Sequence, residues 1–207
     1  MLKKGSVVLT GPFFLCFLYF FLSSAYTERQ NVKGAMRHES ASRGPQVPTP
    51  EIFQVFGTQN ALLTAGDRTA CNTMTIGWCQ LGRLWNMPVC TVYVRPERYT
   101  YKFTESHDYF TVSVLPLSHK QTTMQLCGTK SGRDVDKIKA CGLTVCYGAG
   151  DAPFFDEAEL VLVCKKVFVQ DMDPACVLDQ ETILPYYGEK GGWHRIYTGK
   201  VVEAYTK

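Results

Sequence analysis

Apolar and polar positions alternate in steps of two along several stretches of the chain. Asn72–Trp78 (NTMTIGW) puts Thr73, Thr75 and Gly77 on one face and Met74, Ile76 and Trp78 on the other, which predicts a strand. Val89–Val94 (VCTVYV) is β-branched and aromatic, Phe110–Leu115 (FTVSVL) alternates again, and Leu160–Gln170 (LVLVCKKVFVQ) is one long run. Ile196–Ala204 predicts a closing strand and Ala61–Thr64 an additional one. Helix signals lie between them. Pro96 opens a short helix to about Glu105. Pro116 opens a second that Gly128 ends as a left-handed cap. Ser131 opens a third, reaching about Cys141 and ended by Gly142, with Ser131 and Asp134 at capping-box spacing and Val135 and Ile138 on the buried face.

Strands outnumber helices and do not alternate with them. The pattern therefore predicts a mainly β (α+β) fold, a largely antiparallel barrel with short helical insertions, rather than a doubly wound sheet. No G-x-G-x-x-G follows a strand, so a Rossmann dinucleotide site is not expected. Residues 26–50 are polar, carry Pro45, Pro48 and Pro50, and read as a linker to a domain that begins near Glu51.

Ahead of the linker, Lys3 and Lys4 precede an apolar run from Val7 to Ala25 that ends Ser23-Ser24-Ala25. Three readings stay open: a signal peptide, a marginal membrane span, or a start placed too far upstream, with Met36 as the working N-terminus. The nine cysteines include no C-x-x-C pair and no zinc spacing. Several, such as Cys90 and Cys164, sit in apolar runs and read as small buried hydrophobes, which suits a reducing compartment. Cytoplasmic placement is therefore favoured over export, with membrane contact confined to residues 7–25.

Length and charge narrow the partners. A chain of 207 residues with 45% apolar and 20% charged residues supports one domain with a real core. Its formal charge of +3, spread without a basic run, argues against nucleic acid and fits a small anion better.

Three segments carry candidate chemistry. In CGTKSGRDVDK (127–137) the glycines, cations and serine fall in the wrong order for a P-loop. Lys130, Ser131, Gly132 and Arg133 could still present bare helix amides and charge to an anion, or form only a capped, solvated helix start. RPERYT (95–100) sets Arg95 and Thr100 at a strand end, where they could share one anion, unless Arg95 pairs with Glu97 or Glu105. The Thr73, Thr75, Gly77 face of NTMTIGW suits a flat ring against strand backbone, or belongs to an ordinary half-buried strand. His107, His119 and His194 lack metal-ligand spacing, and no G-x-S-x-G nucleophile is present.

Taken in order, NTMTIGWCQLGRLWNMPVCTVYVRPERYTYKF, CGTKSGRDVDK, FFDEAELVLVCKKVFVQDMDP and HRIYTGKV resemble the flavin reductase-like family, the flavoredoxin-like FMN-binding split barrels, from about residue 51 to the C-terminus. The resemblance implies a split β-barrel that binds FMN, as a homodimer with flavin near the subunit interface. It places Thr73, Met74 and Thr75 near the isoalloxazine edge with Gly77 and Trp78 close by. Arg95, Tyr99 and Thr100 would approach the ribityl phosphate, and Lys130, Ser131, Gly132 and Arg133 would complete the anion site. Lys137, one turn on, would point to the pocket or to solvent. Trp193 and His194 would cover the flavin. The implied activity is hydride transfer from NADH or NADPH to flavin, with no catalytic side chain required. The alternative is an FMN carrier or electron-transfer protein without an efficient nicotinamide reaction.

Overall fold

The computed structural model describes residues 56–57, 61–188 and 192–207. The apolar run 7–25, the linker 26–50 and the expected domain start at Glu51 lie outside the described residues. Seven antiparallel strands form one sheet: β1 (Ala61–Gly66), β2 (Cys71–Ile76), β3 (Cys79–Leu84), β4 (Met87–Val94), β5 (Tyr109–Val114), and two long strands, β8 (Leu160–Asp171) and β9 (Arg195–Thr206). Their spatial order is β2-β1-β5-β8-β9-β4-β3. A small hairpin of β6 (Val145–Tyr147) and β7 (Pro153–Phe155) stands apart.

The long β8–β9 ribbon organises the molecule. Leu160–Lys165 of β8 pairs with β5, while Arg195–Lys200 at the start of β9 pairs with β4. Because β8 and β9 run antiparallel, β1, β2 and β5 attach at one end of the ribbon and β3 and β4 at the other. Register shifts between Val163 and Cys164 and between Lys166 and Phe168 interrupt the ribbon, as bulges do where a sheet must bend. One face of the curved sheet encloses Leu63, Ile76, Val92, Val94, Phe110, Val112 and Tyr197. On the other, Leu62, Val161 and Val163 pack against Cys127, Leu143, Phe154 and Phe155 from the helical insertion and the small hairpin.

Every strand expected from alternation is present, within a few residues of its expected ends. Two features were not expected. Strand β3 pairs with β4 through a two-residue turn, Trp85-Asn86, both at positive φ. The short β6–β7 hairpin is the other.

The helices are shorter than expected. Helix α1 (Tyr99–Ser106) starts three residues after Pro96, which lies instead in a turn closed by Arg98 N–H donating to Arg95 C=O. The second insertion is helical from Leu117 to Gly128 in three pieces around α2 (Lys120–Thr123). Gly128 is not at positive φ. A Cβ there would lie 3.1 Å from Thr75 Oγ1, a tight contact that the Thr75 side chain would have to relieve by a small shift.

The third helix corrects the sequence reading. It spans only Lys137–Ala140 (α3), and Asp136 rather than Ser131 caps it by accepting from Lys139 N–H. Ser131 instead closes a turn, accepting from Arg133 N–H at its hydroxyl and from Asp134 and Val135 N–H at its carbonyl. Gly142 does end α3, at φ 67°, with Gly142 N–H bonded to Lys139 C=O and Leu143 N–H to Ile138 C=O.

Candidate functional site

Strand β2, the turn into α1, and the loop from Cys127 to Lys137 enclose a cavity of about 180 Å³. Met74 and Thr75 contribute from β2, Arg98, Tyr99 and Thr100 from the start of α1, and Lys130, Ser131, Arg133 and Lys137 from the loop and α3. Three segments far apart in sequence thus meet in one place. Hydroxyls and cations dominate the lining, with Glu97 the carboxylate among them.

Local packing sets each group. Asn72 is buried and donates from Nδ2 to Thr100 Oγ1 at 2.7 Å, so the Thr100 hydroxyl keeps its own proton to donate. The Arg133 guanidinium lies 4.8 Å from the centre of the Tyr99 ring, an attraction that holds it over α1. Gly132 sits where a Cβ would lie 2.0 Å from Asn72 Oδ1, so any side chain there would push the loop off β2. Its close approach is therefore to Asn72 and Tyr99, and it lines a neighbouring open depression of about 580 Å³. That depression shares Arg133 and Lys137 with the cavity and adds Lys139, but it also carries Asp134 and Asp136, a mixed set less suited to an anion.

Lys137 is the most informative residue in the cavity. Its side chain is 4% exposed, yet among the described residues its ammonium has no hydrogen-bond or carboxylate partner. Burial, with nearby Arg98 acting in the same direction and the Cys127 thiol against it, holds its pKa below the ordinary lysine value. The residue is buried but the ammonium itself opens onto the cavity; partial desolvation without a partner disfavours its charge, and an anion in the cavity would relieve that cost.

The other residues singled out in the sequence fall elsewhere. Thr73 is fully buried, accepting from Thr64 Oγ1 and donating to Leu63 C=O, and does not line the cavity. Gly77 and Trp78 follow β2 on the surface. Trp78 is 42% exposed, and its ring lies 4.7 Å from the His194 ring and 5.7 Å from Tyr186. Trp193 stacks on Tyr187 at 3.8 Å. Arg95 does not line the cavity: it donates to Tyr186 C=O at 2.6 Å, lies over the Tyr187 ring, and approaches Glu97 at 3.9 Å. Arg98 takes the cavity position instead.

These residues form an aromatic cluster that meets the cavity at Glu97. His194 is buried there, its Nδ1 3.0 Å from Tyr187 OH. Burial first, then the Arg95 charge, pushes its pKa down to about 4, so the ring is neutral at pH 7. Tyr186 and Tyr187 were missed in the sequence, where GGWHRIY drew attention only to Trp193 and His194. Arg98 was quoted within RPERYT but passed over for Arg95.

The donor set fits a phosphate monoester: Arg98, Lys130, Arg133 and Lys137 supply charge, and Thr75, Thr100 and Ser131 supply hydroxyls. The volume is below the roughly 300–1,000 Å³ of whole-ligand pockets, so the cavity suits the anionic end of a larger ligand. Among the described residues no group of His, Cys, Asp and Glu could hold a metal, and no helix is long and apolar enough to cross a membrane.

Comparison with known proteins points the same way. No curated protein matches the chain. Among solved structures, flavoredoxin from Methanosarcina acetivorans is 25% identical, covering 72% of this chain and 68% of its own, with a TM-score of 0.56. An FMN-binding protein from Thermus thermophilus is 20% identical, covering 83% and 82%, at 0.57. A split barrel domain protein from Shewanella frigidimarina is 20% identical, covering 72% and 67%, at 0.54. The antiparallel sheet with short helices described above is this split barrel. Residues 53–207 match the model of the flavin reductase like domain, well over half of the chain, and the chain belongs to that family.

Proposed function

We propose that this protein binds FMN and transfers hydride from NADH or NADPH to the flavin, as an FMN-dependent oxidoreductase. The observation that carries the reading is the partly desolvated Lys137 ammonium, without a partner among the described residues, facing a cavity lined by further cations and hydroxyls. Family membership and the FMN-binding protein among its structural neighbours support flavin as the ligand.

Lys137, Arg98 and Arg133 would hold the phosphate, with Thr75, Thr100 and Ser131 donating hydrogen bonds. Met74 and Thr75 would set the height of the ribityl chain along β2. Flavin, when bound, supplies an acceptor for hydride and a carrier for electrons. The Trp78, Tyr186, Tyr187 and Trp193 cluster offers an apolar wall beside the cavity that would exclude water from the ring. Neutral His194 adds no positive charge there.

The same reading includes a homodimer. Exposed Leu84, Trp85, Val167 and Phe168 gather around the β3–β4 turn and β8, with the Trp85 and Phe168 rings 6.1 Å apart, and would be covered by a second copy. Light scattering that shows only monomer would remove that part.

The deciding experiment is rapid mixing of FMN-loaded protein with NADH and, separately, NADPH. Loss of oxidised-flavin absorbance with at least one supports the oxidoreductase. Flavin that binds but stays oxidised with both leaves a carrier or electron-transfer protein.

A further inference from the structure

The loop that supplies the cavity's cations begins and ends at a cysteine. Cys127 closes the helical insertion and Cys141 caps α3, so the two bracket Lys130, Ser131, Arg133 and Lys137. Their sulfurs lie 3.6 Å apart, in contact but as free thiols. Cys127 is 3% exposed and lines the cavity, whereas Cys141 is only half-buried. Nothing in the hydride chemistry proposed above uses either.

We propose that Cys127 and Cys141 form a reversible disulfide that closes the base of the cation-bearing loop, with a peroxide as oxidant. Cys141 thiolate attacks hydrogen peroxide, breaking the O–O bond to give a sulfenic acid and hydroxide, which takes up a proton as water. Cys127 then attacks the Cys141 sulfur as its proton leaves, the S–O bond breaks, and a second water departs. Two thiols are oxidised and one peroxide is reduced to two waters. A dithiol reductant reverses the bond by exchange.

The environment assigns the two roles. Burial pushes the Cys127 thiol up to about 12, so it resolves rather than initiates. Burial raises the Cys141 thiol as well, with the Cys127 thiol and the Lys137 ammonium offsetting only part of it, so Cys141 takes the attacking role because it is the more exposed of the two. A competing pair, Cys79 and Cys90, has sulfurs 3.5 Å apart, but the Cys90 thiol and burial push the half-buried Cys79 thiol far up, so it offers little thiolate, and the pair lies away from the cation-bearing loop.

Joining the sulfurs shortens their separation from 3.6 Å to about 2.0 Å, a movement small enough to leave the loop in its present shape. The oxidised loop can no longer open at its base, so a bound anion leaves more slowly. This consequence rests on the flavin reading; the bond itself does not.

The test treats the full chain with hydrogen peroxide, blocks remaining thiols, digests without reductant and maps linked peptides by mass spectrometry. Amide hydrogen exchange over residues 128–140 is followed in parallel. The expected result is a peptide pair joined through Cys127 and Cys141, absent in Cys141→Ser and reversed by dithiothreitol. Exchange in the loop slows several-fold on oxidation, and FMN dissociation slows with it. A linked pair in protein that binds no FMN sustains the latch and removes the flavin reading. Both cysteines recovered unlinked, in folded protein that still binds FMN, overturns the latch and leaves the flavin reading standing.

Discussion

The cavity and the aromatic cluster lie side by side, joined at Glu97, and treat their polar groups in opposite ways. In the cluster the polar groups are partnered: Arg95 with Tyr186 C=O, and Tyr187 with His194. In the cavity the Lys137 ammonium is partly desolvated and has no partner among the described residues, and Thr100 retains an undonated proton. Polar groups satisfied from within hold the fold together. A charged group left short of partners at a cavity marks a place where a ligand can bind, whereas the buried, unpartnered Ser113 hydroxyl lies in β5 away from both the cavity and the depression and marks none.

The sharpest way to break this contrast is Lys137→Met. Removing the buried cation should weaken FMN by about 3 kcal/mol, more than a hundredfold, as loss of a desolvated charge contact does. The same change should raise the thermal midpoint of the ligand-free protein, because it removes a partly desolvated charge without a partner. Isothermal titration and a melting curve read both. An affinity loss accompanied by destabilisation would place Lys137 in the structural class.

The cluster has its own signature in pH. Folded His194 stays neutral down to about pH 4, while the unfolded ring protonates below about 6.5. Between those values the unfolded state binds more protons, so stability is full above pH 6.5 and is lost as pH falls towards 4. The loss should approach about 3 kcal/mol in denaturant midpoints and should flatten in His194→Gln. An unchanged slope in the variant would show that another group titrates.

Gly132→Ala sharpens the contrast at the seam. Its Cβ would strike Asn72 Oδ1, so the Asn72–Thr100 bond should break or the loop lift from β2. A destabilisation of about 2 kcal/mol is expected from such overpacking. A variant as stable as the parent would mean that the loop is loosely held.

The smallest difference separates neighbouring arginines. Arg98→Ala and Arg133→Ala should each weaken FMN by about 1–2 kcal/mol, since both line the cavity from exposed positions. Arg95→Ala should change FMN affinity by less than about 0.5 kcal/mol, an effect on binding confined to the surroundings of the site. Equal losses at Arg95 and Arg98 would erase the boundary between the regions.

Much of the fold was legible in the sequence because half-buried strands alternate. Strand β3 was not: CQLGRL lies at the sheet edge with most side chains exposed, so burial imposes no period on it. The third helix was overextended because Ser131 and Asp134 imitate a capping box. Asp136 wins by offering its carboxylate to Lys139 N–H, and the chain before it stays in turns. At the site, the convergence of β2, the start of α1 and the 127–137 loop was legible from motif positions at element ends. Which cation lacks a partner was not. Arg95 and Arg98 differ by three residues in one turn, and only packing shows that Arg95 is claimed by the Tyr186 carbonyl. For Lys137 the sequence left both the pocket and solvent open, and the packing puts it on the pocket side.

The central claim is that the cavity around Lys137 receives the phosphate of FMN. Titrating FMN and riboflavin against the same protein isolates that group, because the two ligands share the ring and ribityl chain. FMN should bind at least about tenfold more tightly, and Lys137→Met should abolish most of the difference, as expected when a charge-assisted contact is lost. Equal affinity for FMN and riboflavin in the unmodified protein would contradict the account.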